Sequence, residues 1–446
     1  MRKTITPQLG LVAESVDHPH AHELGRVSEI LDALPQAAEL VAKDLIEGTL
    51  ATKAGRLGMS GEQVMRAAVL KQMHGWSYED LAFHLADSPT FRTFCRLGLM
   101  DRSPKKATLA GNIKRVRPQT LEQVHRLVMG YAKKRGVEKG KQARIDSTVI
   151  ESNIHHPLDS NLLFDVVRVL TRILRGARQY STRIEFSNHH KRAKRRMLDV
   201  INARSMQRRV PIYRELVQIT RWTMGYAQRA AAVLKSLSSL CAQATADELE
   251  HYLELGKKVV EQTERRVFHG QSVPAAEKVV SIFEPHTDVI VKDRRETLYG
   301  HKVFLSVGTS GMIVDMLMER GNPADSTRAT TMLERHRDVL GKVPEHAAFD
   351  AGFTSAANVQ AARALGVKAA SFASKGNINV LAGVANRKQH KKLQRFRAGA
   401  EGIISFTKRC AGFGRCTWRG YRSFHAYAWT AVLATNLLLL ARQTMT

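Results

Sequence analysis

A long helical pattern set inside a strand-rich stretch constrains this chain more than any other feature. From Asp159 to about Phe268 the apolar residues recur at helical spacing, with a polar break from Ser187 to Lys191. Ahead of that block, the run ARIDSTVIES from Ala143 is rich in β-branched residues and predicts a strand. Behind it, strands return as KVVSIFEP (278–285), KVFLSVG (302–308) and MIVDMLMER (312–320), the last two joined by a hairpin from Gly308 to Gly311. There follow a helix capped by Asp325 and stopped by Gly341, a strand at His346–Asp350, and a helix to Leu365 stopped by Gly366. A strand at Val367–Phe372, a basic region and a final helix complete the chain. With the helical block lifted out, the order is strand, hairpin, helix, strand, helix, strand, helix. An α/β fold, an open mixed sheet with flanking helices, satisfies that order.

The N-terminal part, from about 25 to 140, reads as all-helical. Ser77 and Asp80 form a capping box ahead of Leu81 and Leu85, and Ser88-Pro89 parts two short helices. The expected organisation is therefore a helical N-terminal domain for DNA binding or dimerisation (1–140), a catalytic core (141–157 and 275–446) and a helical insertion (158–274). Asp159 or Ser160 is expected to cap the first helix of the insertion.

The chain has 446 residues, too many for one compact core, and a formal net charge of +28. Lys and Arg outnumber Asp and Glu by 13 to 3 over 101–145, by 16 to 3 over 168–230 and by 11 to 1 over 387–426. Three concentrated windows suit a surface that tracks a phosphate backbone, so nucleic acid is the expected partner. The four cysteines form no Cys-x-x-Cys pair, which argues against a zinc site or a disulfide framework and for a reducing, cytoplasmic location near the nucleoid. Met1–Gly10 lacks an apolar leader segment. The apolar stretch Ala426–Ala441 is shorter than the ~20 residues of a spanning helix, so a buried C-terminal helix and no membrane are expected.

Three acids stand out. Asp146 lies inside the first strand, where an unpartnered carboxylate is costly. Asp350 ends a later strand and precedes Ala351-Gly352-Phe353, at a sheet edge where catalytic groups gather. Glu401 is the one acid in the third basic window. Each alone has an ordinary structural reading: a strand-internal acid, a turn former, a salt-bridge partner. Together they form the oxygen donor set that hard divalent cations take, and paired cations of that kind serve in-line phosphoryl transfer. Such chemistry needs no serine or cysteine nucleophile.

The run RFRAGAEGIISFTKR spaces Arg397, Glu401 and Lys408 as in the Tyr-Arg-Glu-Lys signature of bacterial insertion-sequence transposases of the DDE class, which it resembles. Gln394 stands where that signature has Tyr. HAAFDAGF is similar to the family's second-aspartate segment through Asp350 and Gly352, and ARIDSTVIESNIHHPLDSNLLFD to its first through Asp146. DRRETLYGHKVFL, GNPADS and the N-terminal VLKQMHGWSYEDLAFHLADSPTFRTF also look like family segments, so the resemblance runs roughly from 60 to 440 and points to the ISNCY-type group. It implies an RNase H-like core in which Asp146, Asp350 and Glu401 hold two Mg²⁺ or Mn²⁺ ions. It also implies that Arg397 and Lys408 grip DNA phosphates near the cut. Water attack at a transposon end would free a 3′-hydroxyl that attacks target DNA, with no covalent protein–DNA intermediate. The implied partners are double-stranded DNA with terminal inverted repeats, target DNA and a second subunit. The alternatives are another metal-dependent nuclease or resolvase, and a catalytically inactive DNA-binding relative.

Asp146 and Asp350 are 204 residues apart and Asp350 and Glu401 only 51, so the helical block follows the first strand rather than separating the last two acids. Its Arg168, Arg172 and Arg175, and further on Arg192, Arg195 and Arg196, are expected to meet transposon DNA or a partner subunit. Lys302 in YGHK is a further candidate for DNA contact. His155, His156 and Asp159 could suggest a metal cluster, but a strand end and a helix cap explain them equally well. Trp76, Trp222, Trp418 and Trp429 are expected in the core, with stacking on an unpaired base as the alternative.

Overall fold

The computed structural model describes residues 16–47, 58–98, 100–292, 296–374 and 379–444. The opening ten residues, read above for a leader, and the start of the segment 293–305 lie outside the described residues. The chain divides into two compact units, one of residues 1–151 with 301–446 and one of residues 152–300.

Seven helices open the first unit: α1 (Pro19–Asp32), α2 (Pro35–Ile46), α3 (Gly61–His74), α4 (Tyr78–Asp87), α5 (Pro89–Phe94), α6 (Lys106–Ile113) and α7 (Pro118–Lys134). Local chemistry sets several of their starts. Ser60 and Gln63 cap α3 reciprocally, Ser77 and Asp80 form the expected box on α4, and Ser88 caps α5 with Pro89 in its first turn. The strands, in chain order, are β1 (Gln142–Ser152), β2 (Asp288–Lys292), β3 (Glu296–Val307), β4 (Ile313–Glu319), β5 (His346–Phe349), β6 (Ala369–Phe372) and β7 (Arg415–Cys416). The second unit holds α8 (Asp159–Ala177), α9 (His190–Asn202), α10 (Met206–Lys235) and α11 (Leu240–Thr263). The remaining helices, α12 (Ala329–Leu340), α13 (Ala356–Ala364), α14 (Arg387–Cys410) and α15 (Tyr421–Thr444), belong to the first unit.

The sheet of the first unit runs β4–β3–β1–β5–β6, with β7 along β1. β1 and β5 are parallel with Ile145 opposite Phe349, β5 and β6 are parallel with Phe349 opposite Phe372, and β3 and β4 form the expected antiparallel hairpin. This is the mixed, helix-flanked sheet of the RNase H-like reading. Side chains alternate across a strand. Ile145, Phe304, Phe349 and Phe372 therefore share one face with Met332 and Leu333 of α12 and Val359 of α13. On the other face Leu393 of α14 packs on Ala348 and Ala369. The N-terminal helices do not keep a core to themselves. Val41, Leu70 and Val124 join one apolar cluster with Leu305 and Val314 of the sheet and Val432 and Leu433 of α15. α15 is the one helix among the described residues long and apolar enough to cross a membrane, and 83% of its apolar window is buried in the protein.

In the second unit α8, α10 and α11 close around Leu170, Leu216 and Val259, and α11 runs on into a π-helical turn at Glu264–Phe268. β2 pairs with Glu296–Val307 only through Glu296–Gly300. Three sequence expectations change here. KVVSIFEP forms no strand: the side chain of Gln262 bonds both backbone groups of Val279, and Ser281 Oγ accepts the N–H groups of Phe283 and Glu284, so side chains replace a ladder. Leu158, not Asp159 or Ser160, occupies the cap of α8, and Asp159 is held by Arg266 at 2.8 Å. In the first unit, Asp325 opens a short 3₁₀ turn and does not cap α12, because its carboxylate is engaged elsewhere. Cys95 and Cys416 are buried free thiols, and Cys241 and Cys410 exposed ones.

Candidate active site

β1 places alternate side chains on the α14 side of the sheet, and Arg144 and Asp146 are two of them. The Arg144 guanidinium lies 4.9 Å from the Phe396 ring centroid and donates to the Phe396 carbonyl at 3.2 Å. That clamp depends on Gly399: a Cβ there would stand 2.0 Å from Arg144 Nη1. α14 can pass this close to β1 only because the position carries no side chain, and the approach brings its next turns over Asp146.

Arg397 on α14 then stands among the three sequence-predicted acids. Its Nη1 is 3.3 Å from Asp146 Oδ2 and 3.3 Å from Asp350 Oδ1, and its Nη2 is 3.0 Å from Glu401 Oε1. Carboxylates from β1, from the end of β5 and from a late helix thus converge on one guanidinium, 204 and 51 residues apart along the chain. Asp350 precedes a 3₁₀ turn without capping it, which leaves its carboxylate turned to Arg397. Exposure grades across the group, from 11% for the Asp146 side chain to 43% for Asp350 and 68% for Glu401.

Burial pushes the Asp146 carboxyl up to about 6, and the neighbouring Asp350 and Glu401 add to the effect. The Ser147 N–H, which donates to Asp146 Oδ1 at 2.8 Å, and Arg397 oppose it without cancelling it. The cluster therefore carries more negative charge than its own cation compensates. Among the described residues no three His, Cys, Asp or Glu side chains stand at mutual ligand distance, and the three acids surround Arg397 instead. An all-carboxylate, charge-excess donor set fits a hard divalent cation.

The sequence reading missed a supporting layer. Asp325 accepts from Ser147 Oγ at 3.2 Å and pairs with Lys302 Nζ at 2.6 Å. A Cβ at Gly352 would meet Asp325 Oδ2 at 2.3 Å, so the loop after Asp350 closes directly onto that aspartate. GNPADS carried the signal, but Asp325 reads locally as a helix cap. Lys302, singled out for DNA contact, is 13% exposed and occupied by Asp325 and the Pro323 carbonyl. Gln394, in the place of the signature Tyr, donates to the Ser371 carbonyl and Oγ at 3.2 and 3.0 Å and so ties α14 to β6. Lys408 lies farther along α14 and lines a separate cavity.

In the second unit Arg168 pairs with Asp165 and Arg172 with Glu248, while Arg195 is exposed. His155 lies 3.6 Å from Asp165 and Asp159 is bound to Arg266, which leaves no metal cluster of His155, His156 and Asp159. Of the four tryptophans, Trp418 and Trp429 are buried, Trp76 is half-buried and Trp222 is exposed.

Two family models match the chain. One is described as a transposase DDE domain and matches residues 256–437, and the other is described as a transposase domain (DUF772) and matches residues 14–115. Asp350, Arg397, Glu401 and Lys408 fall within the first match, and Asp146 lies between the two. No curated protein and no solved structure matches the chain.

Proposed function

Because the chain belongs to the DDE transposases of insertion sequences, and acts as a DNA transposase, we propose that Asp146, Asp350 and Glu401 form its strand-cutting and strand-joining centre. The observation that carries this reading is the meeting of the three carboxylates on Arg397. The family typically uses divalent metal, and we assign these acids two Mg²⁺ or Mn²⁺ ions. Ions bound there supply activation of the attacking oxygen and stabilisation of the leaving one.

The protein's own groups do the rest. Asp146 is fixed by its strand and by the Ser147 N–H, so Oδ2 faces the site without reorganisation. Arg397, released from the acids once their charge is compensated, turns its planar fork to the phosphate under attack. Lys408, seven residues beyond Glu401, holds a neighbouring phosphate. Water attacks phosphorus at the transposon end and the bond to the 3′-oxygen breaks, leaving a 3′-hydroxyl. That hydroxyl attacks a target phosphate, whose own 3′-oxygen leaves. Both steps are phosphoryl transfers and need no enzyme-linked intermediate.

The same reading gives residues 1–140 a role in DNA binding or dimerisation. It gives the insertion, through Arg168, Arg172 and Arg195, contact with DNA or a partner subunit. The expected substrates are terminal inverted repeats and a target duplex, engaged by a dimer.

The test is cleavage and joining of DNA that carries the element's own ends, in Mg²⁺. Asp146→Ala should abolish both and keep DNA affinity within about twofold. Cleavage without joining would reassign the chain as a nuclease. Binding lost together with cleavage would make Asp146 structural.

A further inference from the structure

The largest cavity of the first unit contains none of the three acids. It measures about 950 Å³ and lies between α3, the start of α4 and the segment 412–419. Six cations line it: Lys71, Lys106, Lys114, Lys408, Arg415 and Arg419. Glu151 is the one carboxylate among the lining residues. Lys106 is paired outside the cavity with Glu79 at 2.7 Å, so the rest of the wall remains strongly positive.

Lys71 is the informative member. Its side chain is 5% exposed, yet among the described residues its ammonium has no hydrogen bond and no carboxylate within 4 Å. It sits 4.8 Å from the Tyr78 ring centroid, which Lys114 also approaches at 5.7 Å. Burial pulls its acidity down to about 8, the mark of an ammonium removed from water without a counter-ion. A buried cation facing a cavity without an anion is costly unless something negative completes it.

Aromatic rings share the wall. Trp76 and Tyr78 are half-buried, and the Tyr78 and Trp418 rings lie within 25° of parallel at 6.4 Å between centroids. The wall is also preformed. Gln72 donates to the Ala411 carbonyl at 2.7 Å, Tyr427 to the Gly412 carbonyl at 2.9 Å, and the Glu151 N–H to the Gly414 carbonyl at 3.0 Å. Segment 412–419 is thereby held against α3 and β1.

Phosphate charge alone would not call for rings. A duplex presents its backbone and keeps its bases stacked inside, whereas an unpaired strand offers a free base face at each nucleotide. We propose that this cavity binds an unpaired DNA strand, with Lys71 and its neighbouring cations on the phosphates and Trp76 and Tyr78 stacked on the bases. The proposal rests on the chain acting on DNA, but it uses none of the groups assigned to cutting and joining.

The experiment measures binding of a short fluorescein-labelled oligothymidylate, and of a duplex of equal length, to the full chain without divalent ions. Lys71→Met removes a buried charge and is expected to leave thermal stability unchanged or raised. It should weaken single-strand binding about tenfold and reduce the slope of log affinity against log salt by about 0.7, the value for one strand phosphate contact. Trp76→Leu should weaken it by a similar factor through lost stacking. Neither should move duplex affinity more than about twofold. Should either variant fail to fold, Lys114→Gln, on an exposed side chain, serves the same comparison. Equal losses for duplex and single strand, no loss in folded variants, or competition by deoxythymidine monophosphate as strong as by the oligonucleotide would each overturn the proposal. Failure of Asp146→Ala to stop cleavage bears only on the catalytic reading.

Discussion

Arg397 Nη1 stands 3.3 Å from Asp146 Oδ2, so the most buried carboxylate of the cluster is partnered by a side chain 251 residues further along the chain. Both groups are largely withdrawn from water, at 16% and 11% exposure, which separates this contact from an ordinary surface ion pair.

Removing the guanidinium should leave an uncompensated group of acids. Arg397→Gln is expected to lower stability by about 1–3 kcal/mol at pH 8, less than a fully buried broken pair because Asp350 and Glu401 are open to solvent. Added Mg²⁺ or Mn²⁺ should restore part of that loss. Chemical denaturation with and without the ion measures both, and a variant as stable as wild type under both conditions would refute the electrostatic account.

The pH dependence follows from the direction of the Asp146 shift. Its folded carboxyl titrates near 6, above the ordinary value near 3.8, so between those values the folded state holds the extra proton. This group therefore favours folding at low pH and loses that advantage as pH rises through 6. Asp146→Asn, which cannot ionise, should be more stable than wild type above pH 6 in the absence of divalent ions, by up to about 2 kcal/mol. The difference should fade between pH 6 and 4. Paired melting curves across that range decide it, and a gap independent of pH would contradict the shift.

Glu401 offers a clean separation of chemistry from folding. At 68% exposure, Glu401→Gln should change stability by no more than about 0.5 kcal/mol. Strand cleavage should fall by at least about a hundredfold, the scale of losing one preorganised electrostatic group. Cleavage retained at near wild-type rate would remove Glu401 from the site.

Gly399→Ala tests the approach of α14 to β1. The new methyl would collide with Arg144 Nη1, so the helix or the guanidinium must move, at a cost of about 1–3 kcal/mol. Cleavage should fall with it, because the same helix carries Arg397 and Glu401. Combining it with Arg144→Ala should recover part of the stability, and additive losses in the double variant would locate the clash elsewhere.

Much of this protein was legible in local chemistry. Helical spacing marked α8–α11, β-branched residues marked β1, the Ser77–Asp80 box marked α4, and the spacing of Arg397, Glu401 and Lys408 marked the family segment. These signals depend on neighbours a few residues apart, which a sequence displays directly. Tertiary structure decided what long-range partners decide. Asp325 was an apparent cap until Lys302 and Ser147 claimed it, and KVVSIFEP was an apparent strand until Gln262 took its backbone groups. Residues 19–134 suggested a domain of their own, but their apolar faces close over β3, β4 and α15. Even the acids, though named in advance, acquired a common centre only when folding seated Arg397 among them, because Coulomb and hydrogen-bond energies depend on distance in space and not on distance along the chain.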